Sequence, residues 1–269
     1  MRVDLIIIIL LGIVEGVTEF LPVSSTGHLI LAGRLFGLPQ ADATFDIVIQ
    51  LGAILAVVVL FWGRFMGVLR GLLKRDPAAI SFTRNVLLGF LPSAIVGAIA
   101  YGAIRAVLEA PLIAPVVVAI ALIVGGILIL IIERLAKRVT TVSVETMTWG
   151  IALAIGLVQC ISMIPGISRS GATIMGALML GVDRETAAEY SFFLAIPTML
   201  GATTLALYKG RHELGDAHLT AIAIGFVVSF IVALAVIRWF VTFVGKHGFA
   251  PFAWYRIIVG SAALAWLLI

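Results

Sequence analysis

The residues best suited to chemistry lie in two short polar stretches of an otherwise apolar chain, residues 15–28 and 165–173. Glu15 and Glu19 open the first stretch, and their spacing of four places both on one helix face. Arg169 lies in the second. A charged side chain in a bilayer core costs on the order of 2.5 to 3.5 kcal/mol by insertion scales, so these charges need a compensating role. We interpret the two stretches as halves of one site.

The first stretch then offers hydroxyl groups where a new helix is expected to start. Ser24, Ser25 and Thr26 follow one another, and Gly27 allows another backbone or a ligand to come close. One hydroxyl is explained by an N-cap, but three exceed what a cap needs. The free amides and the dipole of a helix start favour a negatively charged ligand. The same arrangement recurs at 168–170.

Arg169 and His28 complete the candidate chemistry. The planar guanidinium group of Arg169 matches phosphate oxygens and stays ionised. A lone His in an apolar segment is usually structural, but His28 follows Ser24 and Ser25 by one turn, which favours a base-assisted site. The two Glu alone are also compatible with a proton relay, a metal site or a salt bridge. Together the groups indicate phosphoryl transfer, and no zinc set, Walker loop or nucleotide fingerprint accompanies them.

The amino-acid composition indicates the class of fold that positions these residues. Of 269 residues, 62% are hydrophobic and 12% charged, with a mean hydropathy of +1.21, which excludes an ordinary soluble domain and a disordered chain. The fold class predicted is an all-α polytopic membrane protein. Glu15 and Glu19 stand where a signal-peptide cleavage site would be, so we expect this segment to be kept. The pI near 9.6 does not indicate nucleic acid, because the basic residues fall between apolar runs.

A helix needs about 20 apolar residues to cross the hydrocarbon layer. The runs that qualify are 43–63, 84–107, 112–133, 186–208, 218–243 and 251–269. Four shorter runs form two pairs, 5–20 with 25–38 and 147–163 with 170–182. Pro22 and the Pro165-Gly166 pair separate the members, so each pair predicts a helix, a sharp break and a second helix. We therefore expect six transmembrane helices plus two re-entrant hairpins.

The two halves of the chain resemble each other. A shift of 144 residues places 24–27 on 168–171 and Gly37 on Gly181. Each half then has one hairpin and three spans, and an odd number of crossings inverts the second copy. This predicts a single domain of two inverted repeats, about 1–140 and 141–269; the alternative is a chance similarity between Gly/Ser-rich breaks.

The basic residues predict the orientation of the spans through the positive-inside rule. Twelve are expected on one side: Arg64, Arg70, Lys74, Arg75, Arg84, Arg134, Lys137, Arg138, Arg184, Arg238, Lys246 and Arg256. Five are expected on the other: Arg2, Arg34, Arg105, Lys209 and Arg211. The first side is therefore predicted to be cytoplasmic, with both termini outside. The Gly125-Gly126 pair is compatible with close packing inside one subunit or with a homodimer.

These motifs resemble the two signatures of bacterial undecaprenyl-diphosphate phosphatases of the bacitracin-resistance type. The likeness extends through 45–61 and the chain length to nearly the whole protein. It implies hydrolysis of undecaprenyl diphosphate to the monophosphate carrier lipid and phosphate, supporting peptidoglycan synthesis. It also implies inverted repeats with re-entrant helices, a multi-pass location in the bacterial cytoplasmic (inner) membrane, and a site facing the periplasm.

The resemblance also implies roles for single residues. Glu15 and Glu19 are the acidic pair, Ser25 and His28 the catalytic pair, and Arg169 the diphosphate clamp. Supporting phosphate contacts are expected from Ser24, Thr26, Gly27, Ser168, Ser170 and Thr173. Members of the family are stimulated by divalent cations, and the two Glu are the candidate ligands for Mg²⁺ or Ca²⁺.

The mechanistic hypothesis has Ser25 attack the terminal phosphorus, with His28 as base and Glu15 or Glu19 orienting His28 or a cation. His28 as nucleophile and an activated water are the alternatives. A different functional class also fits the pattern, since a polyprenyl-phosphate flippase needs an anion-binding centre built from broken helices.

Overall fold

The chain folds into helices joined by short turns. The computed structural model describes residues 5–37, 43–108, 110–136, 138–209 and 219–269. The helices are α1 Leu5–Thr18, α2 Ser25–Leu35, α3 Ala43–Leu60, α4 Trp62–Leu73, α5 Pro77–Leu108, α6 Ile113–Leu135, α7 Trp149–Gln159, α8 Arg169–Met179, α9 Arg184–Lys209, α10 Leu219–His247 and α11 Ala250–Leu268. A 3-10 turn, Cys160–Met163, follows α7. The predicted all-α class is confirmed.

Several helices are long and apolar enough to cross a membrane. Within the described segments these are α5, α6, α10 from Thr220, and α11. The segment Val48–Leu60 of α3 meets α4 at an angle of 69°. If this bent pair crosses the membrane as one span, the number of candidates rises to five. α9 covers the predicted span 186–208 but is not one of the candidate spans found in the described segments. The protein is a multi-pass membrane protein, and the arrangement of six spans plus two re-entrant hairpins stays a prediction.

The region between the first two predicted spans differs from the loop expected there. Residues 63–84 contain most of α4 and the start of α5, joined by a tight turn in which Arg75 has a φ of 58°. Arg64 donates a hydrogen bond to Glu145 at 2.6 Å and lies over the ring of Phe193 at 5.3 Å. These basic residues therefore belong to folded helix ends. Of the basic residues used for the orientation, Arg2, Lys137 and Arg211 lie outside the described residues.

Two helical hairpins of the same design are the most regular feature of the fold. α1 leads through a break to α2, and α7 leads through a break to α8. Adding 144 to the bounds of α2, residues 25–35, gives the bounds of α8, residues 169–179. Ser24 and Ser168, which precede the second helices, both have positive φ, 72° and 80°. The backbone thus repeats where the sequence motifs do.

Each hairpin packs against a helix from the other half of the chain. α1 lies along α10 and α7 lies along α5. Both contacts depend on glycine: a Cβ on Gly12 would lie 3.0 Å from the carbonyl of Gly225, and a Cβ on Gly156 would collide with the carbonyl of Gly89. α2 and α8 also contact α6, which packs along α11. This interlocking brings the two breaks to the same part of the interior.

The break after α1 is buried by aromatic packing. Phe20 is fully enclosed and meets Phe192 edge to face, with ring centroids 5.3 Å apart. Phe192 and Phe193 extend the cluster to Phe61, and Phe192 also contacts Phe240. Such pairs contribute about 0.5–1.5 kcal/mol each beyond area burial. Phe20 is therefore a packing residue that holds the irregular backbone in place.

Candidate active site

The two acidic residues lie at the end of α1. Glu15 is in the last turn, and Glu19 follows it, with its N–H donating to the carbonyl of Glu15 at 2.9 Å. Glu15 is 0% exposed, and neither of its carboxylate oxygens has a hydrogen-bond partner among the described residues. A buried unpartnered carboxylate is costly and calls for a proton or a cation. Glu19, in contrast, is fully engaged.

Glu19 connects the two polar stretches. Its Oε2 accepts a hydrogen bond from the Ser25 hydroxyl at 2.5 Å, and its Oε1 accepts one from Nη2 of Arg169 at 2.9 Å. Arg169 lies 150 residues further along the chain and forms a buried ion pair with this carboxylate. The structure therefore brings three of the predicted catalytic residues into one hydrogen-bonded group.

Arg169 is anchored on its other side by α9. Its Nη1 donates to the carbonyl oxygen of Ser191 at 2.9 Å and to the Ser191 hydroxyl at 3.3 Å, and its guanidinium lies over the ring of Phe20 at 5.8 Å. The Thr173 hydroxyl lies 2.8 Å from the Ser191 hydroxyl, within hydrogen-bond distance. Nε of Arg169 is buried without a partner among the described residues. The guanidinium is thus held in one orientation with one donor uncommitted.

The helix starts next to this group are capped by the predicted serines. The Ser24 hydroxyl accepts from the N–H of Gly27 at 3.3 Å, and the Ser168 hydroxyl accepts from the N–H of Gly171 at 3.0 Å. A cap satisfies one of the amides that a helix start leaves free, so the remaining ones are available to an anion. α2 and α8 therefore place two helix starts, each with free amides, next to this group.

Several side chains predicted to contact phosphate form hydrogen bonds within the protein. Ser170 donates to the carbonyl of Leu21 at 2.7 Å and lies 3.0 Å from the Ser168 hydroxyl, so both hydroxyls connect the second helix start to the first break. The Thr173 hydroxyl is also bonded to the Arg169 carbonyl at 3.0 Å. Their direct contact with phosphate therefore stays a prediction that requires these hydrogen bonds to change.

The neighbouring positions in α2 differ in what surrounds them. A Cβ on Gly27 would lie 3.0 Å from Val118 of α6 and 3.5 Å from Cα of Gly166, so glycine allows the two breaks to approach. Thr26 is partly exposed. This leaves Thr26 as the predicted contact with the most open surroundings.

His28 does not form the expected pair with Ser25. Its Nδ1 lies 2.8 Å from the carbonyl of Ser24, and its Nε2 lies 2.8 Å from the hydroxyl of Tyr255. The rings of His28 and Tyr255 are stacked, 5.6 Å apart with an interplanar angle of 7°. Since a carbonyl only accepts, Nδ1 carries a proton, and in the neutral ring Nε2 accepts from Tyr255. Tyr255 and a carbonyl orient His28, where a glutamate was expected.

The position of Arg256 differs from the cytoplasmic flank predicted for it. The side chain is 1% exposed inside α11 and donates hydrogen bonds to backbone carbonyls of both breaks. Ser191, Tyr255 and Arg256 were all missed from the sequence. An arginine within an apolar segment was the available signal for Arg256, whereas Ser191 and Tyr255 have no local motif.

Comparison with known proteins places this arrangement in a family. Residues 8–262 match the family model described as bacitracin resistance protein BacA. The chain belongs to the BacA family.

Members of the BacA family from other bacteria are similar over their whole length. A protein of Rhizorhabdus wittichii is 72% identical over 268 residues, covering 100% of this chain and 99% of the relative. A protein of Sphingopyxis alaskensis is 62% identical over 265 residues, with 98% of each chain covered. One of Novosphingobium aromaticivorans is 56% identical over 264 residues, with 96% of each covered. All three relatives are named undecaprenyl-diphosphatase.

Glu15 and Glu19 are the residues of this BacA family member expected to hold a divalent cation. No group of three or more His, Cys, Asp and Glu residues suited to a metal occurs in the described part of the chain. The two oxygens of Glu15 are nevertheless uncommitted. Mg²⁺ is commonly held by one or two carboxylates together with substrate phosphates. Glu15, with or without Glu19, therefore fits a cation that arrives with its phosphate ligand.

Proposed function

We propose that the protein hydrolyses undecaprenyl diphosphate to undecaprenyl phosphate and inorganic phosphate, recycling the carrier lipid for peptidoglycan synthesis and conferring bacitracin resistance. One observation carries the proposal: Glu19 accepts hydrogen bonds from Ser25 and Arg169 where two helix starts meet inside a membrane protein. The family and the names of its relatives support the same activity.

Binding of the diphosphate follows from the positive groups of the site. Arg169 has one guanidinium donor without a partner, and the starts of α2 and α8 offer free amides. A diphosphate seated on these groups competes with Glu19 for the guanidinium. When the diphosphate takes the guanidinium, Glu19 keeps its hydrogen bond from the Ser25 hydroxyl and is placed to accept that proton.

The proposed reaction uses Ser25 as nucleophile and Glu19 as base. The Ser25 hydroxyl gives its proton to Glu19 while its oxygen forms a bond to the terminal phosphorus, and undecaprenyl phosphate leaves with the bridging oxygen. Glu19 then passes this proton to the departing undecaprenyl phosphate, which frees the carboxylate to act again. Water next attacks the phosphorus of the phosphoserine, and Glu19 takes a proton from the water and returns it to the serine oxygen as inorganic phosphate leaves. Arg169 and the helix amides stabilise the charge on the transferred phosphoryl oxygens. The hydrogen bond at 2.5 Å favours Glu19 over His28 as this base.

A divalent cation, Mg²⁺ or Ca²⁺, belongs to the proposal as a partner of the diphosphate. When bound, it would neutralise charge on the phosphate oxygens. Glu15 would hold it, because both Glu15 oxygens lack partners among the described residues.

The proposed setting is the bacterial cytoplasmic membrane, with six spans, two re-entrant hairpins and a site that opens toward the periplasm. Two inverted repeats, about 1–140 and 141–269, underlie this arrangement. The matching bounds of α2 and α8 and the positive φ of Ser24 and Ser168 support the repeat. Gly125 and Gly126 pack against α11 of the same subunit, so these glycines do not support the predicted homodimer.

The test is phosphate release from undecaprenyl diphosphate by the purified protein in detergent. We expect release by the wild type and loss in Arg169→Ala and Glu19→Gln, while Arg238→Ala, at an exposed position of α10, stays active. Because the proposal includes the divalent cation, a chelator should also abolish release, and release that persists with chelator would contradict the cation. A folded wild type that releases no phosphate would contradict the proposal, and vesicle assays of lipid movement would then test the flippase alternative.

A further inference from the structure

The guanidinium group of Arg256 is surrounded by backbone carbonyls. It has five N–H groups, and each has an acceptor. Nε donates to Leu122 at 3.3 Å, Nη1 to Pro22 and Ile167 at 2.9 Å each, and Nη2 to Ala121 at 2.9 Å and Gly166 at 3.0 Å. One side chain thus binds α6 and the breaks of both hairpins.

This charge has no carboxylate partner among the described residues, although Arg256 is almost completely buried. An isolated buried charge is very costly unless hydrogen bonds compensate for lost water. Carbonyl dipoles provide that compensation here. The breaks need it too, since irregular backbone leaves carbonyls without helical partners in the membrane interior.

The acceptors lie directly before the two helix starts. Pro22 precedes the N-cap Ser24 by two residues, and Ile167 directly precedes the N-cap Ser168. In a trans peptide the C=O and N–H groups point in opposite directions. Drawing the Ile167 carbonyl toward Arg256 therefore turns the N–H of Ser168 away from it. Arg256 controls the direction in which this peptide presents its donor.

Small residues make room for this arrangement. A Cβ on Gly125 of α6 would overlap Nη2 of Arg256, and one on Gly171 would lie 3.5 Å from Nη1. Gly125 is thus required by the position of the guanidinium.

We propose that Arg256 is a positioning residue of the active site. It holds the carbonyls of both breaks so that the starts of α2 and α8 face one diphosphate, and it acts through the backbone without touching the substrate. The kinetic part of this inference depends on the proposed phosphatase function. The structural part does not.

The first test compares Arg256→Lys with Arg238→Lys. A lysine keeps the charge but has three donors in place of five, so it cannot hold both breaks and α6 together. We expect kcat per folded molecule to fall about 100-fold in Arg256→Lys, a loss typical of a 1 Å misplacement. Arg238→Lys should match the wild type. If Arg256 only stabilised the fold, the yield of folded protein would fall while its kcat and KM stayed normal, and that result would overturn the proposal.

The second test leaves the arginine in place. Gly125→Ala displaces the guanidinium, whereas Gly102→Ala adds the same methyl group where nothing lies within 4 Å. We expect at least a tenfold lower kcat in folded Gly125→Ala and no change in Gly102→Ala. Equal activity of the two variants would contradict the inference, and this comparison remains decisive if Arg256→Lys does not fold.

The third test does not require activity. Hydrogen–deuterium exchange of peptides covering 20–28 and 164–172 should accelerate in both breaks together in Arg256→Lys, and in neither break in Arg238→Lys. Acceleration in one break alone, or in neither, would overturn the shared clamp. A wild type without phosphatase activity would contradict the proposed function, while this measurement would still decide the role of Arg256.

Discussion

The two hairpins share a backbone and differ in their chemistry. In both, a serine with positive φ caps a helix of 11 residues, and its hydroxyl accepts from the N–H three residues later. The side chains at equivalent positions differ: Glu15 and Gln159, Glu19 and Met163, Ser25 and Arg169, His28 and Ala172. The first hairpin therefore carries the acids, the serine proposed as nucleophile and the histidine, and the second carries the guanidinium group.

This difference shows how two similar halves can build one asymmetric site. Two helix starts facing one point provide donors for an anion from both sides. A base is needed once only, and a second acidic pair would repel the diphosphate. Gln159 illustrates the change. Its Nε2 donates to the Ser93 hydroxyl at 2.6 Å, whereas the Glu15 carboxylate at the equivalent position has no hydrogen-bond partner among the described residues.

The largest effect is expected from Ser25, the proposed nucleophile in the first hairpin. We expect Ser25→Ala to lower kcat about 10⁴-fold, because a nucleophile and its base act as a unit. Phosphate release by quantified folded protein measures this, with Ser261→Ala, at an exposed position of α11, as the matched control. Trapping of a phosphoenzyme labelled on His28 would show that the assignment to Ser25 is wrong.

A smaller effect is expected at the equivalent pair Glu15 and Gln159. Glu15→Gln removes the carboxylate proposed to hold the cation, so we expect about a 100-fold loss and altered dependence on Mg²⁺. Gln159→Leu removes a neutral network in the second hairpin, and its kcat should stay within about twofold of the wild type. Titrations of activity against Mg²⁺ would measure both. Equal losses in the two variants would contradict the asymmetry between the hairpins.

The smallest effect is a loss of stability, and we expect it to be equal for the N-cap serines of the two hairpins. Ser24→Ala and Ser168→Ala each remove an N-cap and place alanine at positive φ, so each should destabilise the protein by about 1–2 kcal/mol. Thermal unfolding in detergent would measure this, and asparagine, which both caps helices and tolerates positive φ, should restore most of the stability. Loss of stability in only one variant would show that the hairpins are less alike than their backbones indicate.

Much of the architecture was readable from local sequence. Apolar runs predicted the helices, and Pro22 and Gly166 predicted the two breaks, because these residues act on their own segment of backbone. The shift of 144 predicted the match between α2 and α8. The bend between α3 and α4 at Phe61 was missed, because the apolar run continues through it to Trp62 and Gly63.

By itself, the sequence determined a helical membrane protein with two broken hairpins and the residue types of a phosphate site, because helix periodicity, hydropathy and breaks are local properties. Only the tertiary structure decided which groups meet. In it, Glu19 accepts hydrogen bonds from Ser25 and Arg169, and His28 is hydrogen-bonded to Tyr255. Arg256, predicted at a cytoplasmic flank, binds backbone carbonyls in the interior. These pairings depend on how distant helices pack, since each hairpin lies against the other half of the chain, and no spacing along the sequence encodes that contact.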